Sequence, residues 1–165
     1  MPRRALREAT VDLSADVADP RVPDVDLIDI LVAQHGEIIA ALNHVELSPV
    51  ARRAAAMRTL AGLIDVHESI EADVVRPLTR RWLIDGEAIA HARFVEEDQI
   101  SELLERLSVM DVAGPRFADA FAVFRDVFGC HMHREEAEEF VPLRAQVERR
   151  ELVSRALSAR RIGGR

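Results

Sequence analysis

The sequence predicts an all-α fold: an up-down-up-down four-helix bundle with an irregular N-terminal arm and a short C-terminal helix. Three observations predict it. Apolar residues recur at three-and-four spacing in four successive stretches. Turn signals at Ser48-Pro49, Asp85-Gly86 and the DVAGP segment from Asp111 to Pro115 leave only short connections between them, so neighbouring helices run antiparallel. Runs of alternating apolar and polar residues bounded by turns are missing, and no strand competes.

Residues 1–23 are polar, contain Pro2, Pro20 and Pro23, and show no sustained period; they read as an irregular arm. From Asp24 the pattern changes. Ile28, Leu31, Val32, Ile38, Ile39 and Leu42 form the apolar stripe of a first helix running to about Val45. Ser48-Pro49 offers an N-cap and a first-turn proline for the second helix, whose inner face carries Met57, Leu60, Ile64, Val74 and Leu78, with Pro77 bending its last part. Ala90, Phe94, Ile100, Leu104 and Leu107 mark the third. In the fourth, Phe117, Phe121, Phe124 and Phe128 place four of the six phenylalanines on one line. The bundle spans residues 24–147. Glu148 to Arg161 forms an amphipathic outer helix within the closing segment 148–165, and Gly163-Gly164 loosens the end.

The 165 residues suit one domain, with 48% apolar residues to fill a core. Cys130 is the single cysteine, so no disulfide framework forms and a reducing, cytoplasmic setting fits. No stretch approaches the roughly 20 apolar residues of a membrane span, which predicts a soluble protein without membrane association. A formal charge of −7 argues against nucleic acid as a partner. Arg149, Arg150, Arg155, Arg160 and Arg161 cluster near the C-terminal end, where a solvated helix face is the simplest reading. Every basic residue is Arg, and tyrosine is absent.

Chemistry enters where polar residues interrupt the apolar stripes, since a buried charge without a partner is costly. The first stripe passes through His35, the second through His67 and Glu71, the third through Glu97, and the fourth, running 117, 121, 124, 128, 131, 135, 142, through His131 and Glu135. A histidine and a carboxylate four residues apart on a helix point the same way, one turn above the other. The two His-x-x-x-Glu pairs lie 64 residues apart, and His35 and Glu97 lie 62 apart. That near-constant separation predicts two similar hairpins, each giving one ligand from its first helix and two from its second. Nitrogen and carboxylate ligands suit iron, manganese or zinc, and two carboxylates able to bridge predict a dinuclear centre, with iron favoured in such a bundle. One tension accompanies this arrangement. If the second helix starts at Pro49, His35 and His67 differ in level by roughly 10 Å at 1.5 Å per residue, which a start nearer Arg52 would relieve.

With AQHGEII, VHESIEADVVRP, FVEEDQISELLERL and HMHREEAEEFVPLR in this order, residues from about Asp24 to Arg144 resemble the bacterial hemerythrin-like family, the HHE cation-binding domains. The resemblance implies two non-haem iron ions held by bridging carboxylates, with an open iron position for dioxygen, peroxide or nitric oxide. It transfers His35, His67, Glu71, His131 and Glu135 to ligand roles. Oxygen-carrying hemerythrins have two histidines one turn apart on the third helix, where this chain has Phe94 and Glu97. Glu97 is preferred to Asp98 because Ile100 and Leu104 follow it as Ile38 and Leu42 follow His35; His91 is a weaker substitute. The proline of FVPLR comes one residue later than in the family, and Glu136 is an alternative to Glu135 as the bridge. His44 and His133 are expected to be exposed, Cys130 to be a small core residue, and Trp82 to cap one end of the core.

Extra anionic ligands stabilise ferric iron and weaken reversible oxygenation. Peroxide decomposition is therefore the expected reaction. The alternative is a module that binds or senses oxygen, nitric oxide or iron without turnover, and a metal-free structural bundle is a third class, which leaves buried carboxylates without a counter-ion.

Overall fold

The computed structural model describes residues 25–164, and the predicted N-terminal arm lies outside them. Helix α1 (Leu27–Leu47) begins on a reciprocal capping box, in which Asp26 accepts from the Asp29 N–H and Asp29 from that of Asp26, each at 3.0 Å. Arg144 binds both carboxylates. The stripe 28, 31, 35, 38, 42, 45 is buried throughout. Val32 and Ile39, expected inside, are exposed, because each sits about 100° around the helix from a neighbour that already fills the inner line.

Helix α2 (Val50–Ile70) follows at once: Ser48 ends α1 and Pro49, not Ser48, is the N-cap. The later start near Arg52 does not occur. The level difference is instead bridged by side-chain direction. Every Cα–Cβ bond leans toward its own helix N-terminus, so in this antiparallel pair His35 leans away from the loop and His67 toward it.

The chain then widens into a π-helical turn, Glu71–Val75, before α3 (Arg76–Trp82) completes the rod. The same happens in the second hairpin. Helix α4 (Gly86–Ser108) leads through Val109–Gly114 into α5 (Pro115–Arg134), a π segment Glu135–Phe140, and α6 (Val141–Gln146). Proline explains both widenings. The Arg76 N–H reaches back five residues to the Glu71 carbonyl and that of Val141 to the Glu136 carbonyl, and the next residue, Pro77 or Pro142, has no N–H and would clash with the carbonyl four residues back. The later proline of the second hairpin is absorbed by a π segment one residue longer. Its wider turn also shifts the inner register, so that Leu143 rather than Pro142 is buried.

Asp85 closes the link between α3 and α4 at φ 58°, and a Cβ on Gly86 would stand 2.1 Å from the Thr79 carbonyl oxygen. That close approach sets the rotation of α4. Its inner line is Gly86, Ala90, Arg93, Glu97, Ile100, Leu104, Leu107, while Phe94, expected on it, is 60% exposed.

The phenylalanines of α5 are buried as predicted, with successive centroids 5.8, 6.2 and 6.0 Å apart; full burial of such side chains contributes roughly 1.5–3 kcal/mol each. Helix α7 (Arg149–Gly163) packs on α1 and α2 through Leu152, Val153, Ala156 and Ala159. Trp82 packs partly buried on the core, whereas Cys130, expected inside, is exposed two positions past Phe128. No helix among the described residues is long and apolar enough to cross a membrane. The core divides in two. One apolar cluster gathers Ile38, Leu60, Ile64, Ile100 and the α5 phenylalanines, the other Leu31, Ile70, Leu78, Phe140 and Leu143. Between them lies a polar layer.

Candidate metal centre

All three stripe histidines are oriented the same way. The His35 Nδ1 meets Glu136 Oε1 at 2.7 Å, the His67 Nδ1 meets Gln34 Oε1 at 3.1 Å, and the His131 Nδ1 meets Glu96 Oε2 at 3.0 Å. An acceptor at each Nδ1 places the ring proton there and leaves Nε2 with its lone pair facing inward, the outer-partner arrangement that prepares imidazole for a metal. The His35 and His67 Nε2 atoms stand 3.1 Å apart. Two lone pairs at that separation repel unless a cation lies beside both.

The carboxylates complete two donor groups. His35, His67, Glu71 and Glu135 each offer an atom within 4.8 Å of the others, and so do Glu71, Glu97, His131 and Glu135. Glu71 and Glu135 belong to both, as bridging carboxylates would. Both start a π segment, and all but Glu97 among these six residues are buried. Glu135 Oε2 lies 3.4 Å from His35 Nε2 and 3.9 Å from His67 Nε2, its Oε1 is 3.2 Å from His131 Nε2, and Glu71 Oε2 is 3.5 Å from His67 Nε2. Glu71 Oε1, Glu135 Oε2 and His131 Nε2 are buried without a hydrogen-bond partner. Such orphaned buried groups are rare and expensive, and together with a set of three imidazoles and three carboxylates they fit a transition metal.

Four carboxylates converge on one arginine. Arg76 Nη2 donates to Glu135 Oε1 at 2.9 Å, to Glu71 Oε2 at 3.4 Å and to Glu97, while Nη1 donates to Glu139 Oε2 at 2.6 Å. Glu139 also accepts from the Thr79 hydroxyl. Burial pushes the Glu71 carboxyl well above the ordinary range, helped by the charge of Glu135. Burial acts on Glu135 in the same sense, but the surrounding imidazoles and Arg76 outweigh it and hold Glu135 well below that range. His67 is lowered by burial. For His35 burial is offset by Glu135 and Glu136, and its value rises. Burial lifts Glu68, whose Oε1 is unpartnered, to about 8.

The structure therefore brings together His35, His67, Glu71, Glu97, His131 and Glu135. Asp98 and His91 face outward, as do His44 and His133. Glu136 is the outer partner of His35. Sequence reasoning missed Gln34 and Glu96, which sit beside stripe positions, Arg76, which an uninterrupted α-helical period places off the inner line, and Glu139, which the same period places on the line of Phe121. The signal for Arg76 was the proline that follows it, and for Glu139 its place one turn after Glu135.

The profile of the hemerythrin HHE cation binding domain matches residues 26–143. Among solved structures, a hemerythrin HHE cation binding domain-containing protein from Mycobacterium kansasii superposes with a TM-score of 0.73 at 21% identity, covering 85% of this chain and 88% of that one; the likeness shows the fold. No curated protein matches the chain.

Proposed function

Because the chain belongs to the hemerythrin HHE cation-binding domain family, we propose that it holds two iron ions between its helices and decomposes peroxide. The observation that carries this reading is the pair of donor groups sharing Glu71 and Glu135, with three Nε2 lone pairs already aimed inward by Glu136, Gln34 and Glu96. When bound, the metals would supply the electron transfer by which two molecules of hydrogen peroxide yield two of water and one of dioxygen.

The protein's own contribution is charge, order and access. His35 and His67 serve the first donor group, which is rich in nitrogen. Glu97 and His131 complete a second that is rich in oxygen, and this imbalance favours ferric iron over reversible oxygenation. The apolar clusters on either side keep water out. A surface cleft of about 230 Å3, lined by Glu96, Gln99, Asp126, Val127, Cys130, His131 and Arg134, reaches His131 from outside and suits a small ligand. Burial lifts the Glu68 carboxyl of the metal-free chain to about 8, with Glu97 among the charges that raise it.

Oxygen evolution from hydrogen peroxide by the iron-loaded protein, measured with an oxygen electrode, tests the reading. Evolution that disappears in Glu71→Gln is expected. A stable, reversible adduct with dioxygen or nitric oxide and no turnover of peroxide would replace catalysis by binding.

A further inference from the structure

The guanidinium of Arg76 contacts the two carboxylates that the donor groups share and, of the unshared donors, only Glu97 of the second group. Its Nη2 touches Glu71, Glu97 and Glu135, three of the four members of the second group, and its Nη1 is tied to Glu139, a member of neither. No contact joins it to His35 or His67 in the first. The residue is 4% exposed, and the π segment just before it turns it inward. We infer that Arg76 is a resident cation of the second metal position, so that the two positions load in sequence: the first directly, the second only when the guanidinium withdraws.

The inference rests on the metal-centre reading and adds an order to it. An arginine stays charged even here, since the surrounding carboxylates raise its already high pKa against the effect of burial. A guanidinium and a divalent ion drawing on the same carboxylate oxygens repel each other at short range in a poorly solvated layer. The first group can fill while Arg76 keeps its contacts to Glu97 and Glu139. Filling the second also takes Glu97 from Nη2, which leaves that nitrogen none of the three donors it held. Glu139, held by the Thr79 hydroxyl and hydrogen bonded to Nη1, gives the displaced guanidinium a place to pivot and remain. Arg76 thus neutralises the carboxylates before metal arrives and resists the second ion afterwards.

The test is a calorimetric titration of the chelator-stripped full chain with Zn(II), for wild type, Arg76→Met and Arg76→Lys. Wild type should show two separable phases, the second at least tenfold weaker. Arg76→Met should tighten the second at least tenfold and the first by no more than about threefold, because the first position is relieved only at the shared Glu71 and Glu135 whereas the second also regains Glu97. Arg76→Lys, whose ammonium is a point charge that cannot span Glu139 and the donor group, should fall between, and it serves if the Met variant does not fold. In wild type labelled with 15N-arginine, the buried guanidinium signals should move at the second equivalent of Zn(II) and not at the first. Two equal phases in wild type and variants, or guanidinium signals that stay in place at both equivalents, would overturn the inference alone. Absence of any zinc binding by wild type would overturn it together with the metal-centre reading.

Discussion

Replacing Glu71 and Glu135 by glutamine, one at a time, separates what each carboxylate does for the metal from what it does for the fold. Both belong to both donor groups, so either substitution should abolish metal-induced stabilisation. That stabilisation is about 2.7 kcal/mol per ion at a free metal concentration of 100 times Kd, or roughly 5–11 °C in Tm per ion for a chain of this size. In the metal-stripped protein the two should diverge. Glu135 receives a 2.9 Å hydrogen bond from Arg76, faces three imidazoles and is held well below its ordinary pKa, so its charge is favourably placed. Removing one partner of such a buried pair costs about 3 kcal/mol, a fall of roughly 6–12 °C. Glu71 has an unpartnered Oε1, only a long contact to Arg76 and a carboxyl pushed well above its ordinary pKa. Glutamine there should leave the stripped protein within about 1 kcal/mol of wild type, on the more stable side. Thermal melts at pH 7 with and without added metal provide all the comparisons. Equal destabilisation of the stripped protein by the two substitutions, or a full metal-induced shift in either, would refute the reasoning.

Removing an outer partner while leaving every donor in place, as in Gln34→Ala or Glu136→Ala, should weaken metal binding about tenfold or more, measured by competition with a chelator. The stripped protein should lose stability between pH 6.5 and about 8, because Glu68 is raised from 4.5 to about 8 by burial. A group with a raised folded pKa contributes fully below its unfolded value, and the contribution is lost as pH rises through the folded one. His35 is raised and acts in the same sense, whereas His67 is lowered and acts below 6.5. Denaturant titrations should show a slope of up to about 1 kcal/mol per pH unit, reduced for the partial exposure of Glu68, and Glu68→Gln should lessen it while the raised His35 and Glu71 keep part of it. Gly86→Ala should destabilise the fold by about 2 kcal/mol or more, read from the same titrations, since its Cβ would stand 2.1 Å from the Thr79 carbonyl oxygen.

The bundle and the six candidate donors were legible because they obey one rule, a period near 3.6 residues interrupted only by ligand-type side chains. Where that rule bends, reading by period fails. The π turns at Glu71 and Glu135 advance the register, which buries Leu143 in place of Pro142 and turns Arg76 inward. Phe94 illustrates a second limit. A stripe one residue wide admits two rotations, and the contact of Gly86 with Thr79, invisible in a single helix, selects the one that exposes Phe94 and buries Arg93. The outer partners Gln34 and Glu96 stand beside stripe positions where polar residues are ordinary, so nothing local distinguishes them. The level mismatch between His35 and His67 came from counting backbone rise alone; the opposed lean of the two side chains removes it.

The dinuclear centre is tested most directly by elemental analysis, with Mössbauer spectroscopy, of the full chain loaded anaerobically with 57Fe(II) and then desalted. Iron should saturate at two per chain in wild type and fall to one or fewer in His67→Ala and His131→Ala, with a coupled pair in the oxidised wild-type spectrum. A wild type that retains no iron, or only a single uncoupled ion at saturation, would contradict the account.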